Sequence, residues 1–155
     1  MIKAGSKAPY FEGPDQNGKT ITLDDYRGKK LVLYFYPKDL TPGCTIQARD
    51  LTSNLSALAE KGYEVLGVSA DSVKRHCSFI DKIGIGFSLL SDESLSVIKA
   101  YEVWGLKKFM GREYEGIKRT TFLIDEKGVV EDVIEKVKTK SHTQQILDLI
   151  EEKIK

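Results

Sequence analysis

Hydrophobic patterns divide the chain into alternating strands and helices. Residues 31–36, Leu-Val-Leu-Tyr-Phe-Tyr, form a continuous apolar run, which predicts a strand buried on both faces. From Cys44 to about Lys61, apolar residues recur every three or four positions, which predicts a helix that stops at Gly62. A second apolar run at 65–68 follows, so this strand–helix–strand unit should hold two parallel strands.

The segments on either side of this unit carry clear boundary signals. Asn17-Gly18 predicts the turn of an N-terminal β-hairpin that spans residues 10–23. Ser72 is a predicted N-cap for a helix that runs to about Ile83 and ends at Gly84. Beyond it the pattern predicts a short apolar segment at 87–90 and a helix at 94–101.

The C-terminal part of the pattern is less uniform. Residues 102–118 show no clear period and are expected to form a long surface loop. Residues 120–124 and 129–137 predict a second hairpin. A capping-box pattern at 141–144 starts the last helix, and its His142 is expected to face solvent. No repeat or linker interrupts the chain, so residues 1–155 should form one α/β domain with a mixed central sheet flanked by helices.

Composition narrows the class of protein. The chain has 155 residues, of which 41% are hydrophobic and 30% charged, as expected for a single domain with a sizeable core. Its net charge of +1 provides no general attraction to nucleic acid or to a membrane surface. No apolar run reaches the length of a transmembrane helix, and Met1-Ile2-Lys3 does not begin an export signal. We therefore expect a cytoplasmic protein.

Cysteine and histidine usage indicates reactive thiols and no metal. Two cysteines are too few for a disulfide scaffold and fit a reducing compartment. The spacing of Cys44, His76, Cys77 and His142 does not match that of any zinc site, so no metal is expected.

Cys44 is the residue whose position carries the most chemistry. It follows the buried strand at 31–36 and lies at the start of a helix, where unpaired N–H groups and the helix dipole favour an anion. Such a setting stabilises the thiolate, the reactive form of the side chain. The Thr41 hydroxyl and the N–H groups near Gly43 can donate hydrogen bonds to a reacting oxygen, and Pro37 would shield the sulfur. Gln47 is expected either to hydrogen-bond nearby backbone or to be solvated.

Five stretches, taken in order, resemble the peroxiredoxins, specifically the bacterioferritin comigratory protein or peroxiredoxin Q group. They are Gly5-Ser6-Lys7-Ala8-Pro9, the segment from Tyr34-Phe35-Tyr36-Pro37-Lys38-Asp39 through Thr41-Pro42-Gly43-Cys44-Thr45, Val68-Ser69-Ala70-Asp71-Ser72, Leu89-Leu90-Ser91-Asp92, and Arg119-Thr120-Thr121-Phe122-Leu123-Ile124-Asp125. The resemblance covers nearly the whole chain and implies a thioredoxin-like fold. It also implies that Cys44 is the peroxidatic cysteine of a redox-active centre, with Thr41, Pro37 and Arg119 completing its pocket.

The resemblance implies a thiol-dependent peroxidase, an antioxidant oxidoreductase that reduces hydrogen peroxide and alkyl hydroperoxides. No cofactor is implied, because the cysteine carries the chemistry through a sulfenic acid. The expected partners are a peroxide substrate and a thioredoxin-like reductant, without nucleic acid or membrane. A monomer and a weak homodimer both fit the sequence.

The second thiol is where the chain departs from its relatives. Many of them carry a resolving cysteine five residues after the first, where this chain has Arg49. Cys77 is the other cysteine, and it shares a predicted helical face with Val73 and Ile80. It is therefore either a resolving cysteine that forms a disulfide with Cys44 or a structural core residue in a one-cysteine enzyme.

Two other classes of function are compatible with a thioredoxin-like fold. A thiol–disulfide exchanger or chaperone would use Cys-x-x-Cys at the helix start, but Thr41 occupies the first of those positions. A noncatalytic binding module would not need Thr41, Cys44 and Arg119 together. Both alternatives are therefore weaker than the peroxidase.

Overall fold

A computed structural model of the protein describes residues 2–154. The strands are β1 (Glu12–Pro14), β2 (Thr20–Thr22), β3 (Lys30–Phe35), β4 (Tyr63–Ser69), β5 (Ser88–Ser91), β6 (Trp104–Phe109), β7 (Arg112–Ile117), β8 (Thr120–Ile124) and β9 (Val130–Ile134). The helices are α1 (Pro42–Ser53), α2 (Leu55–Glu60), α3 (Val73–Ile83), α4 (Ser96–Ala100) and α5 (His142–Ile154). Short 3-10 turns occur at Leu23–Tyr26 and Thr139–Ser141.

A five-stranded mixed sheet in the order β5-β4-β3-β8-β9 forms the centre of the fold. The pairs β3–β4 and β4–β5 are parallel, whereas β3–β8 and β8–β9 are antiparallel. The predicted parallel crossover and the predicted hairpin at 120–137 are therefore both confirmed. The N-terminal hairpin is also confirmed, since β1 pairs antiparallel with β2.

Side chains of β3 alternate between two hydrophobic cores, one on each face of the sheet. Val32, Tyr34 and Tyr36 belong to the core that also includes residues of α1, α2, α3 and α5. The intervening residues, such as Leu33, pack in the other core with α4 and the N-terminal segment. Burial of residues 31–35 on both faces of the sheet explains why the sequence of β3 shows no alternation.

The predicted limits of the helix at 72–83 agree with those of α3. The Ser72 side chain accepts a hydrogen bond from the Arg75 backbone N–H, and Gly84 adopts a left-handed conformation with φ of 75°. Glycine takes this conformation without steric cost, so it ends the helix. No helix within residues 2–154 is long and apolar enough to cross a membrane.

The prediction of a single helix from Cys44 to Lys61 is wrong in one respect, because the structure has two helices that are divided at Asn54. The backbone of Asn54 is not helical, and its side chain donates a hydrogen bond to the Asp50 carbonyl at 2.7 Å. Asparagine side chains compete with helical backbone bonds in this way. The apolar periodicity continues across Asn54, so the pattern did not indicate a break in the helix.

The surface loop predicted for residues 102–118 is also wrong. This segment forms an antiparallel hairpin of β6 and β7, joined by the two-residue turn Met110-Gly111, both with positive φ. Most side chains of β7 are exposed, so neither face shows a run of buried residues. Without a buried face, the sequence lacks the alternation from which a strand is recognised.

Two side-chain environments differ from those predicted. Cys77 is exposed, so it is not a core residue, because the buried face of α3 is formed by His76 and Phe79. His142 is fully buried, although it was expected in solvent. Both buried histidines, His76 and His142, have hydrogen-bond partners inside the protein, and hydrophobic periodicity does not reveal such partners.

Gly67, in the middle of β4, provides a test of the packing. A Cβ atom there would lie 2.8 Å from Leu89 Cδ2 and 2.9 Å from Tyr34 Cζ, both in the core. We expect Gly67→Ala to lower the free energy of unfolding by about 1–3 kcal/mol in urea denaturation, because the core cannot make room. Gly105→Ala is the matched control, since its Cβ meets only the flexible end of Lys118 at 2.9 Å. An equal loss in both variants would contradict this account.

Candidate active site

The connection from β3 to α1 places Cys44 in the first turn of a helix. Thr41 is the N-cap with an extended backbone, and Pro42 takes the first helical position, where its missing N–H has no consequence. The Thr41 hydroxyl does not cap the helix, because it donates to the Lys38 carbonyl at 2.7 Å. The first-turn N–H groups, those of Gly43 and Cys44, are therefore not used by this cap.

The sulfur of Cys44 has a cationic partner. Nη2 of Arg119 lies 3.3 Å from Cys44 Sγ, and Nη1 donates to Gln47 Oε1 at 2.6 Å. The side chain of Cys44 is only 2% exposed, so little water screens this contact. The guanidinium and the helix N-terminus thus place two sources of positive charge beside the sulfur.

Gly43 gives the guanidinium its room. A Cβ atom at this position would lie 3.3 Å from Arg119 Nη2, closer than side chains normally approach. The absence of a side chain thus lets the cation reach the helix start. Gln47, one turn beyond Cys44, is completely buried and orients Arg119, so of the two settings expected for it the solvated one is wrong.

The predicted pocket residues are thus largely brought together at one end of β3. Cys44, Gly43, Gln47 and Arg119 form one connected group, and Thr41 occupies the N-cap position of the same helix. Pro37 is half-buried just beyond the end of β3, on the loop that leads to this helix. Cys77 is not part of the group: it is exposed on α3, and its sulfur lies 4.0 Å from Asp81 Oδ2. Both cysteines are free, so the structure contains no disulfide between them.

Lys107 is a second cation at this site that sequence reasoning missed. Its ammonium donates to the Ile117 carbonyl at 2.9 Å, two residues before Arg119. Burial lowers the pKa of Lys107 from its usual value, Arg119 lowers it further, and negative charge on Cys44 opposes the shift. On β6, Lys107 lies between two exposed neighbours. That alternation indicates an inward-facing side chain, but only once the segment is recognised as a strand.

Beneath the site, two buried polar groups have no hydrogen-bond partner among the described residues. They are the Tyr34 hydroxyl and the Gln47 amide nitrogen, Nε2. Burial raises the pKa of Tyr34 well above its usual range, with smaller increases from the charges of Cys44 and Asp39. Tyr34 therefore stays protonated. Unpaired buried donors are rare in proteins and are concentrated at functional sites.

A network of charged side chains joins the same loop to α3. Ligand-type atoms of Asp39, Asp71 and His76 lie within 4.8 Å of one another, a spacing that would suit a metal ion. Each of these side chains already has protein partners, and Arg75 Nε donates to Asp71 Oδ1 at 3.0 Å. A cation already in place beside the carboxylates favours a hydrogen-bond network over a metal site.

Similarity to known proteins is extensive. A sequence profile described as the AhpC/TSA family matches residues 4–133. Peroxiredoxin Bcp from Escherichia coli K12 is 44% identical over 151 residues, covering 97% of both chains. The Bacillus subtilis protein of the same name is also 44% identical, covering 97% of this chain and 96% of its own.

Solved structures give the same result. A structure of Xanthomonas campestris peroxiredoxin Q superposes with a TM-score of 0.89 at 36% identity, covering 98% of this chain and 99% of its own. A variant of Xylella fastidiosa PrxQ reaches a TM-score of 0.92 at 32% identity, covering 100% of this chain and 99% of its own. The likeness extends over the full length of each chain.

His142 provides a pH-dependent test of the packing beside the site. Its Nε2 lies 2.8 Å from Thr121 Oγ1, and burial lowers its pKa below 6.5, an effect that outweighs its partner Gln145. Below pH 6.5 the unfolded chain binds a proton that the folded chain resists. We therefore expect the free energy of unfolding to fall by up to about 1.4 kcal/mol per pH unit until the folded-state pKa is reached.

Urea denaturation between pH 7.5 and pH 5 measures this dependence, and His142→Gln should flatten it, because glutamine does not titrate. Contributions from every other group are shared by both proteins and cancel in the comparison. Identical pH slopes for the two proteins would contradict the assignment.

Proposed function

Because the chain belongs to the AhpC/TSA family and is a peroxiredoxin of the Bcp or peroxiredoxin Q type, a thiol-dependent peroxidase, we propose that Cys44 is its peroxidatic cysteine. The fold agrees with this membership, since the mixed sheet and its helices form the thioredoxin-like fold of such enzymes. We further propose that the substrates are hydrogen peroxide and small alkyl hydroperoxides.

One observation carries the proposal: the guanidinium of Arg119 lies 3.3 Å from the Cys44 sulfur at a helix N-terminus. A thiolate is the nucleophile in peroxide reduction, and both features favour it. The near-complete burial of Cys44 supports a small substrate, because only 2% of this residue is exposed.

The other pocket residues have roles that follow from their donors and acceptors. The Thr41 hydroxyl donates its hydrogen bond to the Lys38 carbonyl, so its oxygen can accept a hydrogen bond from the O–H of a bound hydroperoxide. The N–H groups of Gly43 and Cys44 and the guanidinium of Arg119 donate to the oxygens as charge moves along the bond. Pro37 limits water beside the sulfur.

The first chemical step is a displacement on oxygen. The thiolate of Cys44 attacks the terminal oxygen of the hydroperoxide, an S–O bond forms, and the O–O bond breaks. The other oxygen leaves as alkoxide, or as hydroxide from hydrogen peroxide, and takes a proton to give an alcohol or water. Cys44 is thereby oxidised to a sulfenic acid, and the peroxide is reduced.

The second step returns Cys44 to the thiol. We propose that the thiol of Cys77 attacks the sulfenic acid, releasing water and forming a disulfide that a thioredoxin-like dithiol protein then reduces. The exposure of Cys77 supports such a role better than a structural one. Its contact with Asp81, on the outer side of α3, favours the alternative in which an external thiol attacks Cys44 directly.

Intact-mass measurement after one equivalent of hydrogen peroxide, under nonreducing conditions, distinguishes these routes. We expect the wild-type protein to lose two hydrogens and to yield a peptide pair that joins Cys44 to Cys77. Cys77→Ser should instead gain one oxygen on Cys44, and Cys44→Ser should neither change in mass nor consume peroxide. Peroxide consumption by Cys44→Ser would contradict the proposal, and a wild-type sulfenic acid with free Cys77 would establish the one-cysteine route.

Arg119→Lys tests the part played by the guanidinium. Lysine keeps the charge but cannot contact the sulfur and Gln47 at once, as the two terminal nitrogens of Arg119 do. We expect the rate constant for Cys44 oxidation to fall on the order of 10- to 100-fold, as measured by stopped-flow mixing with hydrogen peroxide. Arg112→Lys, on the exposed strand β7, is the matched control and should react at the wild-type rate. An unchanged rate in Arg119→Lys would exclude this role.

A further inference from the structure

Asp39 is a buried carboxylate in the loop that precedes Cys44. It is 1% exposed and accepts hydrogen bonds from the Tyr36 hydroxyl, at 2.5 Å, and from His76 Nδ1, at 2.6 Å. His76 is completely buried on α3, where it directly precedes Cys77. The contact between Asp39 and His76 therefore connects the two segments that carry the two cysteines.

The hydrogen-bond partners of His76 define how this pair is held together. Its Nε2 lies 3.0 Å from the Leu90 carbonyl, which only accepts, so Nε2 carries a hydrogen. Nδ1 and the Asp39 carboxylate are joined at 2.6 Å in a fully buried position. A hydrogen bond in such surroundings is stronger than the same contact in water.

The backbone of Asp39 is tied to the same region. Its N–H donates to Asp71 Oδ2 at 2.8 Å, and its carbonyl accepts from Arg75 Nη2 at 3.2 Å. Asp71 is itself held by the Ser69 hydroxyl at 2.7 Å and by Arg75. Side chain and backbone of this one residue are thereby fixed to the beginning of α3.

The next residue shows that this anchor determines the path of the chain. Leu40 adopts a left-handed conformation with φ of 65°, which a leucine rarely takes without external constraint. Immediately after it, the chain turns through Thr41 into α1, where Cys44 lies. We expect that release of Asp39 would let Leu40 relax toward negative φ and thereby change the direction of the first turn of α1.

We propose that Asp39 and His76 are positioning residues that hold Cys44 in its peroxide-reactive place against α3 and that must separate before Cys77 can reach it. This inference rests on the proposed roles of Cys44 and Cys77. While the contact is intact, it favours the first step and opposes the second, because disulfide formation requires the two Cα atoms to come within about 7 Å. Once the contact is broken, disulfide formation with Cys77 is favoured over the reaction of Cys44 with peroxide.

Two pairs of variants separate the contact from general stability. Asp39→Ala and His76→Gln break it, since glutamine keeps only a donor near the Leu90 carbonyl. Asp39→Asn and His76→Asn retain a hydrogen bond in neutral or near-isosteric form, because an asparagine amide can take the place of either partner. Ile98→Val, in the core on the other face of the sheet, controls for loss of stability alone.

Rapid mixing with hydrogen peroxide, followed by quenching and mass spectrometry, gives the two rates separately. The first is the formation of sulfenic acid on Cys44, measured in a Cys77→Ser background, and the second is disulfide formation. We expect the breaking variants to slow the first by on the order of 10- to 100-fold through misplacement of the sulfur. They should speed the second by roughly tenfold through loss of one buried hydrogen bond. The retaining variants should lie between these and the wild type.

Opposite changes in the two rates support the inference. It is overturned if the breaking variants react like the wild type, if Ile98→Val reproduces their behaviour, or if the retaining variants are as impaired as the breaking ones. Wild-type protein whose Cys44 is not oxidised would instead refute the proposed function. Oxidation of Cys44 without any disulfide would refute the part that concerns Cys77 and leave the positioning role to be decided by the first rate.

Discussion

The contact between Arg119 and Cys44 depends on the antiparallel register of β8 against β3. Phe35 pairs with Thr120, so the residue before β8 lies at the same end of the sheet from which the chain leaves β3 toward α1. That arrangement brings together two residues 75 positions apart in the sequence. A shift of the register by one residue would turn the side chains of β8 to the opposite faces, and the guanidinium would no longer reach the sulfur.

Burial strengthens the electrostatic contact between Arg119 and Cys44, but it also lowers the stability of the protein. The sulfur is almost inaccessible, so a negative charge on it would be attracted to the guanidinium far more strongly than the same pair in water. The same low polarity penalises the unpaired Tyr34 hydroxyl and Gln47 amide beneath it, at about 1–3 kcal/mol each. A protein selected for stability alone would replace such groups. Their presence below the sulfur indicates that the polarity of the site is worth more than the stability it removes.

The sequence predicted those features that follow from local rules. The doubly buried strand β3, the crossover to β4 and the limits of α3 were predicted correctly because each depends on a short pattern or on a cap such as Ser72 and Gly84. Proximity of Arg119 to the pocket was predicted for a similar reason, since a residue at the beginning of a strand lies at a sheet end. The position of Cys44 in a first helical turn needed only the order of strand and helix.

What the sequence did not predict depends on side chains that meet across the fold. Cys77 was assigned to the apolar face of its helix, whereas the face is rotated by one residue because His76 is buried by its bond to Asp39. The same type of error affected His142, whose partners Thr121 and Gln145 satisfy it internally. The hairpin of β6 and β7 was missed because it buries little, and with it the inward-facing Lys107. Polar residues that are paired at long range look in sequence like residues meant for solvent.

These paired polar residues also bear on how one structure could serve the two-step cycle that we propose. Attack on a peroxide requires the sulfur to be fixed, whereas formation of a disulfide requires it to move. A hydrophobic contact that held the loop at residue 39 against α3 would give way gradually, because apolar packing has no preferred direction. A short hydrogen bond is either formed or broken, because its strength decreases steeply with distance and angle. In the role proposed for them, Asp39 and His76 would give the same chain two distinct arrangements, and a buried polar pair is better suited to this than the apolar residues that its surroundings would otherwise favour.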